Sequence, residues 1–488
     1  MLSARTREQF FGWPALLLAL AALTLYRAWV IMHNQLPLFF DEAQYWTWSR
    51  EPAWGYYSKP PMVAWVIRLF AAFGDSELAV RLGTLLLHPM TALLVCATGW
   101  RMFDRATGLL AALLFISLPL VGFNSLFMTT DAPLFFFWAM TVWALWRALH
   151  GNAWRDWLLA GAAAGLGMLS KYSMAIFLAS VCLLLCLPAY RSQWRNARLY
   201  AACLLALLIF LPNIWWNAQA NFVSFRHTVE ISQLDRGLFH PARLAEFIGA
   251  QLACMGPIAF VLLLGALASK RTWRDPRLGF LAAFSLPFLA VICLQALMAK
   301  ANPNWAAPAY FGGTLLVAAR CPARRRSLLA VAIGINLVFL SVFYHYRELA
   351  PAAGIELTRK SDPYSRLLGW PSVGAAVQQV LAHNPDAKLA VVTRDEFALL
   401  SYYAHPPADR LRIWNPERRT ANHFHMVADV ATDVGANFIF ATRQQLDGAP
   451  ASAFQSWSAL GTISVPLYPH DSLTLNLYRG NRFKGYQP

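Results

Sequence analysis

The chain has 488 residues, 58% of them hydrophobic and 14% charged, with a formal net charge of +16 and a mean hydropathy of +0.41. A soluble enzyme carries an apolar share nearer ~45–50%, so the composition excludes an ordinary soluble protein and indicates a polytopic membrane protein. The positive charge does not call for a nucleic acid partner, because the arginines gather in short loops between apolar runs, where membrane topology demands them.

Apolar stretches able to cross a hydrocarbon core, at roughly 17–25 residues each, fall near 12–31, 78–100, 106–122, 132–150, 156–170, 173–190, 199–216, 248–268, 278–298, 304–319 and 327–345. They make about eleven spans. The first run lacks a small-residue cleavage site and is followed by many others, so it reads as a retained helix and not a removed signal. With the N-terminus, bearing Arg5 and Arg7, in the cytoplasm, every second loop collects arginines: Arg101 and Arg105; Arg147 and Arg155; Arg191, Arg195 and Arg198; Lys270 to Arg277; Arg320 to Arg326. That satisfies the positive-inside rule. The opposite loops hold Asp41, Asp131, Lys171, His227 and Lys300, so the unusual polar residues converge on the outer face.

Within 156–190, the run GAAAGLGMLSKYSMAIF is read as a hairpin turning at Ser170 to Ser173, because one long helix would put the Arg191, Lys270 and Arg324 clusters outside. The stretch 62–74 is too short to span and is expected to lie along the surface as an interfacial helix. After Tyr346 the hydropathy falls. A helix near 371–383, a strand at 388–393, a helix at 395–403, strands near 411–414 and 437–441 and a terminal strand at 473–478 suggest a small α/β domain. The expected fold is therefore a polytopic α-helical membrane protein of about eleven transmembrane helices with a small α/β C-terminal extracytoplasmic domain. Residues 1–346 form the transmembrane module, with outer-face loops 32–77 and 217–247, and 347–488 the soluble domain. No internal repeat is visible, unlike many secondary transporters. The seven cysteines lie in or beside apolar runs and suggest neither a disulfide framework nor a zinc site.

The chemistry centres on FFDEAQYWTWSREPAWGYYSKPP, Phe39 to Pro61. Asp41 and Glu42 open a short helix that places Asp41, Tyr45 and Trp48 on one face, and Pro52 cannot continue it. Acidic capping of a helix start would explain the pair, but adjacent carboxylates beside an aromatic belt and a conformationally fixed lysine exceed what capping needs. One carboxylate can act as a general base and the other can hold the acceptor or a cation. Lys59 is either a snorkelling interfacial cation or a phosphate ligand; it precedes Pro60, which biases it to extended backbone, and a membrane-embedded phosphate needs such a fixed cation. Asp131 opens the fourth span as an N-cap before Pro133 or as a second carboxylate flanking an acceptor. Lys171 is either a snorkelling cation or a phosphate ligand. Arg226 and His227 are candidate phosphate ligands on a segment that a solvated amphipathic helix would equally explain. Lys300, Asn302, Asn304 and Trp305 are interfacial anchors or donor contacts. His227 and His240 form no recognisable metal pair.

The Asp-Glu loop, the Lys-Pro-Pro, the TTDAP aspartate, the GMLSK turn and NWAAPAY follow an order that resembles the GT-C glycosyltransferases that use polyprenyl-phosphate sugars. Within that superfamily the chain is similar to protein O-mannosyltransferases, to the aminoarabinose transferases acting on lipid A, and most to the galacturonosyltransferase-like branch acting on lipopolysaccharide. The resemblance covers roughly 35–320, and DEAQYWTWS with GYYSKPP is its specific part. It implies catalytic roles for Asp41, Glu42 and Asp131 and a donor-phosphate role for Lys59, while Lys171, Arg226, His227 and Lys300 are phosphate candidates on the reading of the residues alone. An acidic residue precedes the Lys-Pro-Pro in the aminoarabinose transferases, whereas Ser58 does so here. No metal or other cofactor is therefore assigned, although a divalent metal is compatible with the acids.

The expected activity is inverting transfer of a sugar from a polyprenyl-phosphate donor to an envelope glycolipid, lipid A or lipopolysaccharide, at the outer face of a bacterial inner membrane. The C-terminal domain is expected on the periplasmic side and the protein to act as a monomer. Protein O-mannosylation is the alternative enzyme reading. A lipid-linked sugar flippase is the alternative of another class, and would place its acids near the bilayer midplane.

Overall fold

The structure, a computed structural model, describes residues 12–232, 239–446 and 448–486. Arg5 and Arg7, and residues 233–238 of the expected outer loop, lie outside the described residues. The chain divides into two compact units. One comprises Met1–Ile31, Lys59–Val66 and Arg81–Tyr344, the other Met32–Ser58, Ile67–Val80 and His345–Pro488.

The first unit is helical. Among the described residues six helices are long and apolar enough to cross a membrane: Trp13–His33, Glu77–Met102, Asp131–Gly151, Ala197–Gln219, Pro276–Met298 and Ala323–Tyr344. A seventh span results if the pair Pro241–Met255 and Pro257–Ala268, bent by 115°, is counted as one. The remaining stretches expected to span coincide with shorter helices, including Arg105–Ser117, Trp154–Met168, Ile176–Cys186 and Ala309–Arg320. Ala309 to Ala318 is buried throughout, so that helix is walled by protein and its apolar run reflects the protein core as well as lipid.

Local chemistry explains the bends. Gly256 has φ 85°, and a Cβ there would lie 2.1 Å from Asn336 Oδ1, so glycine alone fits the turn before Pro257. Asn336 Nδ2 donates to the Met255 carbonyl at 3.4 Å, satisfying a carbonyl that the bend leaves open. The break between Arg105–Ser117 and Pro119–Asn124 is similarly tied, since buried Arg27 donates to the Ile116 carbonyl at 2.9 Å and Tyr344 Oη to that of Gly122 at 2.8 Å. Helices Trp154–Met168 and Ala197–Gln219 approach closely because Gly161 and Gly165 share one face. A Cβ would meet the Ala202 carbonyl oxygen at 2.4 Å from Gly161 and that of Ala206 at 2.8 Å from Gly165. This is the small-residue spacing that lets membrane helices pack backbone to backbone.

The second unit is built on a five-stranded sheet of order β2-β1-β3-β5-β4, with β1 Ala387–Val391, β2 Leu411–Ile413, β3 Asn437–Thr442, β4 Phe454–Tyr468 and β5 Asp471–Phe483. β2, β1 and β3 run parallel, Leu389 standing opposite Leu411 and Ile439, and β5 and β4 are added antiparallel. Helices Trp370–Ala382 and Arg394–Tyr403 match the elements expected from sequence. β4 was not expected. Most of its side chains are exposed, so this edge strand lacks the in–out alternation that reveals a strand. Glu396, fully buried, plugs the carboxyl ends of β1 and β3: Oε1 accepts from Thr442 Oγ1 at 3.1 Å and Arg443 N at 2.7 Å, and Oε2 from Thr393 N at 3.1 Å.

The same unit contains the helix Phe40–Arg50, which packs against Arg394–Tyr403. Tyr403 Oη accepts from Leu38 N at 2.7 Å and donates to Glu77 Oε1 at 3.2 Å. Trp46 meets Tyr402 edge-on at 5.0 Å and donates through Nε1 to Asp75 at 3.2 Å. The first loop is thus folded onto the α/β sheet unit by aromatic packing and by hydrogen bonds that its two tyrosines close.

Candidate active site

In the sheet-bearing unit, Phe40–Arg50 ends at the residues that Pro52 requires. Along its buried face Tyr45 and Trp48 are 5% and 1% exposed, with rings 5.3 Å apart. Asp41 stands at the exposed start, its side chain 37% accessible, with Oδ1 3.5 Å from Arg394 Nη2. The Arg394 guanidinium also lies 4.9 Å over the Phe40 ring, a cation–π contact that orients it. Glu42 is buried, and its Oε2 accepts from Phe39 N at 3.0 Å. It therefore closes the helix start from the third position, as in a capping box. Of the two neighbouring acids, Asp41 faces outward beside a cation, while Glu42 is committed to the backbone.

Arg394 is the residue that sequence reasoning missed. Thr393 and Glu396 form a capping box around it, and that T-x-x-E pattern after a strand does announce a helix start. Nothing in the pattern says that the arginine inside it reaches back to residue 41.

In the helical unit, Asp131 is the first residue of Asp131–Gly151, and its side chain does not serve as N-cap. The side chain is 3% exposed, with Oδ1 2.5 Å from Lys171 Nζ and Oδ2 accepting from Asn304 Nδ2 at 2.9 Å. Lys171, read from sequence as either a snorkelling cation or a phosphate ligand, is here the partner of a buried acid. It reaches Asp131 because helix Trp154–Met168 stops short and residue 171 is extended, φ −160° and ψ 134°. Asn304 is held by the turn Pro303–Ala306, whose Pro303 carbonyl accepts from Gln251 Nε2 at 3.2 Å. One carboxylate so ties three segments together. Lys59 is half-buried in the irregular stretch before Met62–Phe70.

The other candidates are dispersed. Arg226 is exposed and His227 half-buried on Val223–Ser232, a helix anchored where Ser224 N donates to Asn217 Oδ1 at 3.3 Å. Lys300 is exposed, and its carbonyl accepts from Gln295 Nε2 at 3.3 Å. Among the described residues no group of three His, Cys, Asp or Glu side chains could hold a metal.

The helical unit has an apolar groove of about 310 Å³, walled by Met168, Met174, Phe210, Trp157 and Leu199 among others. In the sheet-bearing unit a second cleft, about 360 Å³, is lined by Trp46, Trp48, Tyr56 and His423 among others. Burial pushes the Tyr56 hydroxyl up to about 12 and the His423 imidazole down to about 4.

Comparison with known proteins adds the following. Residues 58–216 match the dolichyl-phosphate-mannose-protein mannosyltransferase family. The lipid A galacturonosyltransferase RgtD of Rhizobium johnstonii is 29% identical over 472 residues, 95% of this chain and 97% of that protein. The undecaprenyl phosphate-alpha-4-amino-4-deoxy-L-arabinose arabinosyl transferase of Pseudomonas aeruginosa is 34% identical over 166 residues, 32% of this chain and 30% of that protein. The crystal structure of ArnT from Cupriavidus metallidurans, solved both in the apo state and bound to undecaprenyl phosphate, superposes with a TM-score of 0.67 over 96% of this chain and 98% of ArnT, at 14% identity. The fold is therefore that of ArnT.

Proposed function

We propose that this chain is a GT-C glycosyltransferase that transfers a uronic acid sugar from a polyprenyl-phosphate donor to lipid A, with inversion, at the periplasmic face of the inner membrane. The observation that carries the reading is the outward-facing Asp41 with Arg394 Nη2 3.5 Å away. The full-length likeness to a lipid A galacturonosyltransferase supports the sugar and the acceptor.

The roles follow from each residue's surroundings. An acceptor hydroxyl attacks the anomeric carbon while the carbon–oxygen bond to phosphate breaks. The hydroxyl proton passes to a carboxylate, and the released polyprenyl phosphate keeps the bonding electron pair. Asp41 suits the base, since its side chain is accessible. Asp131 suits it less, because both of its oxygens already accept from protein donors. Its pair with Lys171 instead fixes the segments that carry them. Lys59 holds the leaving phosphate as a compact point charge. Arg394 has five N–H donors in a rigid fork, so beyond its contact with Asp41 it can receive the carboxylate of a uronic acid.

Mass spectrometry of envelope lipids from a deletion strain tests the reading. Lipid A should lose one uronic acid residue, and complementation should restore it. Unchanged lipid A with loss of glycan from secreted proteins would replace the reading by protein glycosylation.

A further inference from the structure

The apolar groove of the helical unit, about 310 Å³, has no part in the reaction derived above. It exists because two neighbouring helices line it with small side chains: Ala160, Gly161 and Ala164 from Trp154–Met168, and Ala202, Cys203 and Ala206 from Ala197–Gln219. These helices run parallel, since Gly161 lies against Ala202 and Gly165 against Ala206. Trp157 and Leu199 therefore line the groove near the helix starts, and Met168 and Phe210 line it further along. At 1.5 Å per residue, Trp157 to Met168 spans about 16 Å, close to half of a ~30 Å hydrocarbon core. Leu178 and Leu207 on the lining are exposed, so the groove opens to the surface of the bundle.

The end at the helix starts is polar and cationic. Trp157 donates through Nε1 to Asn152 Oδ1 at 3.0 Å, Asn196 Nδ2 donates to the same oxygen at 3.1 Å, and the Asn152 carbonyl accepts from the Arg198 guanidinium. That guanidinium lies 5.3 Å over the exposed Trp154 ring. Arg155, Arg191 and Arg195 are exposed. The buried acid of the first turn, Asp156, is 2.7 Å from Arg147 and 4.0 Å from Arg155, so the excess charge is positive. Both helices start here, and their dipoles add to it. Arginine matches a phosphate diester, and tryptophan sits at headgroup level. An apolar groove about one leaflet deep that ends in such groups is complementary to a phospholipid. The sugar donor fits less well. The segment that carries Lys59 meets the other end of Trp154–Met168, where Met62 N donates to the Leu169 carbonyl at 3.0 Å, so a phosphate held by Lys59 stands far from Arg198.

We infer that the groove holds one acyl chain of an anionic phospholipid whose headgroup lies against Arg155 and Arg198. The test places the full chain in phosphatidylcholine nanodiscs doped with phosphatidylglycerol that carries a diazirine at the end of one acyl chain. After irradiation the crosslinked peptides are mapped. Label should appear on the groove residues around Met168 and Phe210, and the matched diazirine phosphatidylcholine should label them about tenfold less. Arg155→Gln/Arg198→Gln should bring the two lipids to within about twofold of each other. Cys203→Trp, which fills the groove from an exposed position, should remove the groove label while labelling elsewhere persists, with thermal unfolding monitored for both variants. Equal labelling by the two lipids, or a preference unchanged in the double arginine variant, overturns the inference and leaves the arginines a topological signal only. Loss of the label on adding unlabelled polyprenyl phosphate also overturns it, and assigns the groove to the donor chain. None of these outcomes depends on sugar transfer, so the proposed reaction can fail independently.

Discussion

Lys171→Met tests how the helical unit is held together. The Lys171 and Asp131 side chains are 16% and 3% exposed and 2.5 Å apart. At an effective dielectric of about 20, unit charges at that separation attract by on the order of 6 kcal/mol, and desolvation cancels much of this. The sharper quantity is the cost of removing one partner. Lys171→Met leaves a buried carboxylate with Asn304 Nδ2 as its remaining donor among the described residues, and breaking a buried pair costs about 3–5 kcal/mol. Asp131→Asn strands the lysine and should cost a similar amount. The double variant Asp131→Asn/Lys171→Met carries no stranded charge and should be more stable than either single variant, with a coupling energy of about 3 kcal/mol. Urea unfolding followed by tryptophan fluorescence gives all four values. Losses that add to within about 0.5 kcal/mol would refute the reasoning, because they would mean the two groups do not interact.

Further outcomes follow from the same geometry. Asp41→Asn should lower turnover by about 10²–10⁴ while the Asp131→Asn/Lys171→Met double variant keeps measurable transfer; the reverse order in a polyprenyl-phosphate release assay would move the base to Asp131. Lys59→Ala should lose a charge-assisted contact of about 1.5–3 kcal/mol, roughly 10–150-fold in donor affinity or rate, and wild-type donor saturation in this variant would leave Lys59 an interfacial anchor. Gly161→Leu should force helices Trp154–Met168 and Ala197–Gln219 apart and cost at least about 1–3 kcal/mol, whereas Gly265→Ala, with nothing within 4 Å of its added carbon, should be neutral or slightly stabilising; thermal unfolding of the two variants compares them. His423 takes up a proton near pH 6.5 when unfolded but only near pH 4 when folded, so the unfolded state binds more protons between those values. Its contribution is present above pH 6.5 and is lost as pH falls toward 4, by up to about 3 kcal/mol, and His423→Phe should flatten the stability profile in that window.

The sequence was most informative where one local rule governs the outcome. Pro52 ends the Asp41 helix, the Lys171 turn interrupts the apolar run, and the Leu473, Leu475, Leu477 alternation marks β5. The positions of Asp41 and Asp131 at helix starts were legible for the same reason. What could not be read depends on which partner each side chain takes. Glu42 is an acid of the same type as its neighbour, and only its bond to Phe39 N separates a cap from a reactive carboxylate. Lys171 looked interfacial because apolar flanks surround it equally in either role. Arg394 lies in a soluble-looking helix remote in sequence from Asp41. Which apolar runs form long helices was least accessible, since the run of Ala309–Arg320 reflects the protein core as well as lipid and the run around Gly256 bends by 115° although its composition is uniform.

Reconstituted transfer tests the central claim most directly. Purified protein in nanodiscs is mixed with a polyprenyl-phosphate uronic acid and lipid A, and the lipids are read by mass spectrometry. Lipid A should gain one uronic acid residue with matched release of polyprenyl phosphate, and Arg394→Met should depress this transfer more than transfer of a neutral hexose from the same carrier. Lipid A left unmodified with every polyprenyl-phosphate sugar would contradict the proposed function. Equal loss with both sugars in Arg394→Met would contradict the role given to that residue.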